Sequence, residues 1–159
     1  MLKRFSFRLD QVLRHRGNVR DLKEREFSEV EAQLLREEHL LSELVRMQAE
    51  MLGTLADLQS GGFENMEREL YSQYLGWLST EIGRQRQVIA DVRVVLEAKR
   101  LELVKALQEH RIVERLRERQ YEGYVREVAR ADQNVLDEIA GGAHARGVRI
   151  MGATAGGGS

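Results

Sequence analysis

Two runs of residues, each stepping by three and four in strict alternation, decide what this 159-residue chain can fold into. The first picks out Phe27, Val30, Leu34, Glu37, Leu41, Leu44, Gln48, Met51, Leu55 and Leu58. The second picks out Leu75, Leu78, Ile82, Gln85, Ile89, Val92, Leu96, Lys99, Leu103, Ala106, His110 and Val113. Most of these positions are apolar, and such a repeat lays them on one helical stripe, the seam of a coiled coil. No proline breaks either run, and only the pairs Gly61-Gly62 and Gly141-Gly142 interrupt the pattern.

An antiparallel hairpin keeps the sum of facing residue numbers constant, so a fold about Gly61-Gly62 requires the two seams to meet in phase. They do. Leu44 meets Leu78, Leu41 meets Ile82, Leu34 meets Ile89, Val30 meets Val92 and Phe27 meets Leu96. Further out Val19 meets Leu103 and Leu9 meets Val113, and each pair adds to 122 or 123. The polar exceptions coincide too, Glu37 opposite Gln85 and Lys23 opposite Lys99, and polar seam layers fix register at some cost in stability. The expected fold is therefore all-α, a long two-helix antiparallel coiled-coil hairpin over 1–140. Its helices are expected at 3–58 and 64–140 with a turn at 59–63. Residues 141–159, rich in Gly and Ala and poor in apolar surface, are expected to form a disordered, flexible tail. At 1.5 Å per residue the helices would run about 85 Å and about 115 Å. Gly53, Gly76, Gly83 and Gly123 fall inside the pattern as weak points, each costing about 1 kcal/mol relative to Ala.

Composition removes several function classes. Lys plus Arg number 25 against 26 Asp plus Glu, a net charge of -1 that excludes a generally basic nucleic-acid binder. There is no Cys, hence no disulfide framework or thiolate chemistry. No run approaches the roughly 20 apolar residues of a membrane span. The four histidines, His15, His39, His110 and His144, form no Glu-x-x-His pair, and His110 reads as a polar layer opposite Val12. Neither glycine pair has the spacing of a phosphate-binding loop or dinucleotide fingerprint. The chain reads as a non-enzyme without a cofactor or metal site.

Function must then sit on surfaces, and three depart from plain coiled coil. At the amino end, Phe5 and Phe7 stand two apart, so on a helix both cannot face one seam. Lys3, Arg4, Arg8, Arg14, Arg16 and Arg20 surround them against the single acid Asp10. Near the hairpin tip, residues 71–78 hold Tyr71, Tyr74 and the sole tryptophan, Trp77, and aromatic residues often dominate protein contacts. Beyond the end of the first helix, Val128, Val135, Leu136 and Ile139 have no intramolecular partner in this register.

The opening Phe5-Ser6-Phe7-Arg8-Leu9-Asp10-Gln11-Val12-Leu13 resembles the F-x-F-x-L-x-x-V-L start of the FliJ family of the bacterial flagellar type III export apparatus. The segment Glu114-Arg115-Leu116-Arg117-Glu118-Arg119, then Tyr124, then Leu136-Asp137-Glu138-Ile139-Ala140, is similar to that family's carboxyl-terminal motifs. The resemblance implies a non-enzymatic stalk on the bacterial cytoplasmic side, peripheral to the inner membrane, serving flagellum biogenesis and motility. It implies insertion into the hexameric export ATPase, with its regulator, and further contacts with the cytoplasmic domain of the export gate and with export chaperones. Carried over by position, Phe5, Phe7, Leu9, Arg115, Arg119, Leu136 and Ile139 would meet the ATPase ring. Tyr74, Leu78 and Gln85 would meet the gate, although Gln85 replaces a histidine-like position. Arg4, Arg8, Arg14, Arg115 and Arg119 would suit an acidic ring lumen. The alternative is an unrelated amphipathic hairpin that binds anionic membrane or nucleic acid through its basic amino end, a charge-driven attachment that salt would weaken steeply.

Overall fold

The structure, a computed structural model, describes residues 3–59, 61 and 65–154, with side chains through 149. Helix α1 spans Asp10–Gln59 and helix α2 spans Asn65–Thr154. The helix ends at the tip fall within one residue of expectation. Of the expected turn, Ser60, Gly62 and Phe63 lie outside the described residues. Gly61 donates its N–H to the Leu58 carbonyl at 3.2 Å, satisfying one of the carbonyls that a helix end leaves unpaired.

Both outer ends differ from expectation. Residues 3–7 are not helical, and Arg8 and Leu9 form a turn, so α1 begins at Asp10 rather than at residue 3. The first helical bond runs from Leu13 N–H to the Leu9 carbonyl at 2.9 Å, while Asp10 N–H turns back to the Phe7 carbonyl at 3.1 Å. A carboxylate in the first turn complements the positive end of the helix dipole, and Asp10 also pairs with Arg14 at 3.1 Å. At the other end, α2 passes through Gly141-Gly142 to Thr154, beyond the expected stop at 140; residues 155–159 lie outside the described residues. Elongating an existing helix needs no new nucleus, and each glycine costs only about 1 kcal/mol. Arg146 Nε also donates to the Gly142 carbonyl at 3.3 Å, one turn back.

The chain divides into two units, His15–His110 and a second made of Met1–Arg14 with Arg111–Ser159. In the first unit α1 and α2 pair as the antiparallel hairpin. Every expected seam residue between Phe27 and Leu58, and between Leu75 and His110, is less than exposed, whereas most of their flanking neighbours are exposed. Leu78, Ile82, Ile89, Val92 and Ala106 are buried, and Leu78 is fully so. Complete burial of such an aliphatic side chain is worth about 1.5–3 kcal/mol. No residue of α1 is buried to the same degree.

Two layers of this seam are polar on both helices. Gln85, only 7% exposed, donates from Nε2 to Glu37 Oε2 at 2.6 Å and to the Glu37 carbonyl at 3.0 Å, so the buried amide is satisfied. Lys23 and Lys99, expected to face each other, do so through two shared acids. Lys23 reaches Glu102 at 3.1 Å and Glu26 at 3.2 Å, and Lys99 reaches Glu26 at 3.2 Å and Glu102 at 3.4 Å. The hydrogen bonds that Lys23 donates to Glu102, then to Glu26, raise its pKa, and the one that Lys99 donates to Glu26 raises that of Lys99. The hydrogen bond from Lys23 is the largest cause lowering both Glu26 and Glu102.

The sign of the resulting pH dependence follows from these directions. Carboxylates with depressed folded pKa values contribute stability that is complete above their unfolded pKa and is lost as pH falls through the folded value. Thermal melts from neutral pH down through and below the ordinary carboxylate range should therefore show a falling midpoint. The Lys23→Gln/Lys99→Gln variant should show a smaller fall, as should the parent in high salt, because these groups are solvent-accessible. An identical acid response of parent and variant would remove the quartet from the account.

Candidate interaction surfaces

In the unit formed by the two chain ends, the non-helical amino segment lies against α2. Phe5 sits edge-on to Tyr121, with ring centroids 5.2 Å apart at 76°, and 5.6 Å from Tyr124. The two tyrosines are themselves 6.5 Å apart, and the Arg117 guanidinium stands 5.8 Å over the Phe5 ring. Cation–π and edge-to-face contacts of this kind add to simple area burial. Outside a helix, Phe5 and Phe7 need not point about 200° apart, as residues two apart on a helix do. Phe7 is 8% exposed while Phe5 stays half-buried, so neither ring stands free in the way a helix over 3–58 implied. Arg4, Arg8, Arg14, Arg115 and Arg119 are all exposed, as are Leu9, Leu136 and Ile139, the last two at 60% and 61%.

The second surface lies at the tip of the hairpin unit. A cleft of about 560 Å³ opens between the helices, lined by Met51 and Leu58 of α1 and by Glu67, Leu70, Tyr71 and Tyr74 of α2. Tyr74 stacks on Trp77 with centroids 5.9 Å apart at 22°. Trp77 is 53% exposed and Tyr74 half-buried. Among the described residues, no group of three or more His, Asp or Glu side chains is placed to hold a metal ion. No helix is long and apolar enough among them to cross a membrane.

Compared with known families, the chain matches that of the flagellar FliJ protein over residues 5–149. The chain belongs to the FliJ family. No curated protein and no solved structure matches it. Membership makes it a component related to flagellar protein export, and it aligns both ends of the chain, including the Phe5 to Leu13 opening and the segment from Glu114 to Ala140.

The structure sorts the positions singled out by sequence. Phe5, Phe7, Leu9, Arg115, Arg119, Leu136 and Ile139 all fall in one unit, with the arginines, Leu9, Leu136 and Ile139 on its surface. Of the three positions near the tip, only Tyr74 presents surface. Leu78 is 0% exposed and Gln85 is held by Glu37, so in the folded hairpin α1 covers both. Their part is packing and register. Tyr121 and Tyr124 were not singled out together, although Tyr124 continues the α2 seam past Val113 and the spacing of three puts Tyr121 beside it on one face.

These placements separate fold from surface experimentally. Leu78→Ala should cost about 2–5 kcal/mol of stability, since a fully enclosed aliphatic side chain leaves a cavity. Trp77→Ala, at a half-exposed position, should cost less than about 1.5 kcal/mol. Circular-dichroism melts check both, and equal losses would contradict the burial difference.

Proposed function

We propose that this chain is the central stalk of the flagellar export ATPase, seated by its terminal unit in the hexameric ring and by its tip against the export gate. The observation that most supports the ring end is the composition of one unit. It combines five exposed arginines, Arg4, Arg8, Arg14, Arg115 and Arg119, with apolar Leu9, Leu136 and Ile139 at its surface. Apolar anchors provide affinity and the arginines provide steering toward an acidic lumen. Phe5 and Phe7 act there by holding the amino segment on α2, so that Arg4 and Arg8 are presented from a fixed backbone. The ATPase regulator and the export chaperones are further partners on this reading. The working location is the cytoplasmic face of the bacterial inner membrane, beside the gate.

A stalk has no turnover of its own and acts by stabilising the state it binds, which is the assembled ring. Adding the chain to the purified export ATPase should raise ATP hydrolysis and shift the enzyme toward hexamers at sizes read by light scattering. Arg115→Glu/Arg119→Glu should abolish that stimulation and leave the stability of the stalk within about 0.5 kcal/mol of the parent, since both sites are exposed. Unchanged turnover and assembly at saturating stalk would defeat the ring assignment.

At the tip of the hairpin unit, Tyr74 is the gate residue of this reading whose ring remains accessible. Tyr74→Ala should weaken binding to the soluble gate domain about thirtyfold or more, corresponding to loss of a contact of about 2 kcal/mol. Its melting loss should be well below that of Leu78→Ala. If Tyr74→Ala binds the gate domain as the parent does, the tyrosine serves the fold alone.

A further inference from the structure

The seam is complete along most of the hairpin but only half built at its tip. On α1 the apolar positions continue through Met51, Leu55 and Leu58, whereas the register that pairs Glu37 with Gln85 sets Glu67 of α2 opposite Leu55. A carboxylate cannot fill an apolar layer without losing its water, so the helices leave the cleft of about 560 Å³ there. An exposed apolar stripe runs beside it. Leu70 of the cleft lining shares one face of α2 with Met66 and Trp77, spaced by four and seven, and Met66, Leu70 and Trp77 are 75%, 62% and 53% exposed. Trp77 is further stacked on the half-buried Tyr74. An apolar groove continuous with an existing coiled-coil seam has the shape a third helix fits.

Charge selects among possible helices. Between Gln48 and Gly83 the sequence carries Glu50, Asp57, Glu64, Glu67, Glu69 and Glu81 against one base, Arg68; Glu50 and Glu81 pair with Arg46 and Arg84 just outside that span, and the acidic excess nearest the cleft is that of Glu67 and Glu69. Glu67 lies in the groove wall itself. A second copy of this tip would bring the same acids together, and an anionic lipid surface would be repelled.

We propose that the tip groove receives an amphipathic helix of a partner protein whose apolar stripe is flanked by Lys or Arg. The helix completes the seam beside Leu55 and Leu58, packs on Leu70 and Trp77, and sets its bases against Glu67 and Glu69. This rests on the reading of the Tyr74 surface as a protein contact and adds the chemistry of the partner.

Trp77 is the sole tryptophan and stacks on Tyr74 of the cleft lining, so its emission reports a helix packed there. The full chain is titrated with a synthetic amphipathic helix of Leu and Lys, and in parallel with the same peptide carrying Glu for Lys. The Lys peptide should shift Trp77 emission to the blue and saturate, and its affinity should fall about tenfold between low and moderate salt. The Glu peptide should leave the emission unchanged. Leu70→Glu, at an exposed position, should weaken Lys-peptide binding at least about tenfold with an unchanged melt. Glu67→Lys/Glu69→Lys should exchange the preference, losing the Lys peptide and gaining the Glu peptide.

Equal binding of the two peptides, no emission change up to about 200 μM Lys peptide, or parental binding by Leu70→Glu would each overturn the inference. Dimerisation through the tip, or binding to anionic vesicles in preference to the peptide, would overturn it as well. The soluble gate domain is run alongside. If it fails to bind while the peptides behave as expected, the gate assignment falls and the partner chemistry stands. If it binds and neither Leu70→Glu nor excess Lys peptide disturbs it, this inference falls and the Tyr74 contact stands.

Discussion

Register along the shared seam governs everything else in the hairpin unit, and two polar layers hold it. Apolar layers alone are nearly interchangeable when one helix slides past the other by a heptad, because Leu, Ile and Val substitute for each other at modest cost. The polar layers are not interchangeable. A slip of seven residues would set Lys23 against Val92 or Ala106 and Glu37 against Leu78 or Val92, burying a charge or a carboxylate against hydrocarbon. In the observed register Gln85 spends its amide on Glu37, and the two lysines share Glu26 and Glu102. The lysines would repel each other across a bare seam; the flanking acids turn that layer into an attractive ring. The layers stand fourteen residues apart on each helix, so the same heptad spacing satisfies both.

With register held, the remaining surfaces take their positions. The tip acquires a groove because the apolar seam of α1 runs further than that of α2. In the other unit, α2 carries the aromatic ledge of Tyr121 and Tyr124, and the amino segment lies on it through Phe5. Each surface is a place where the coiled-coil rule stops being satisfied internally. Elsewhere the outer faces are laced with short-range ion pairs such as Arg46 with Glu43 and Glu50, which serve helix stability and solubility rather than recognition.

The amino-terminal boundary shows where periodicity misleads. Phe5, Leu9 and Val12 continue the heptad spacing, so a helix from residue 3 is the natural reading, yet the backbone up to Leu9 is not helical. A helix there would place only one of Phe5 and Phe7 on α2. The non-helical backbone lets Phe7 bury while Phe5 still reaches Tyr121, Tyr124 and Arg117, and that tertiary gain outweighs a few helical hydrogen bonds. At the other end the glycine pair at 141–142 suggests a stop, but glycine ends helices mainly where a left-handed turn follows, and α2 continues instead. Leu78 and Gln85 illustrate a further limit. Their seam positions were legible, and a seam position is inward-facing, so family position alone overstated their access to a partner.

What the sequence determined by itself is the pairing. Heptad spacing, the absence of proline, one central glycine pair and coincident polar exceptions specify two helices, their direction and their facing residues, because each depends on spacing along one chain. The tertiary structure alone decided which side chains remain available. Whether Phe5 is free or stacked on Tyr121, whether Lys23 and Lys99 repel or share Glu26 and Glu102, and whether Leu55 finds a partner opposite depend on atoms far apart in sequence. Those distances are set only once the helices have come together, when rotamers and solvent compete for the same few ångströms.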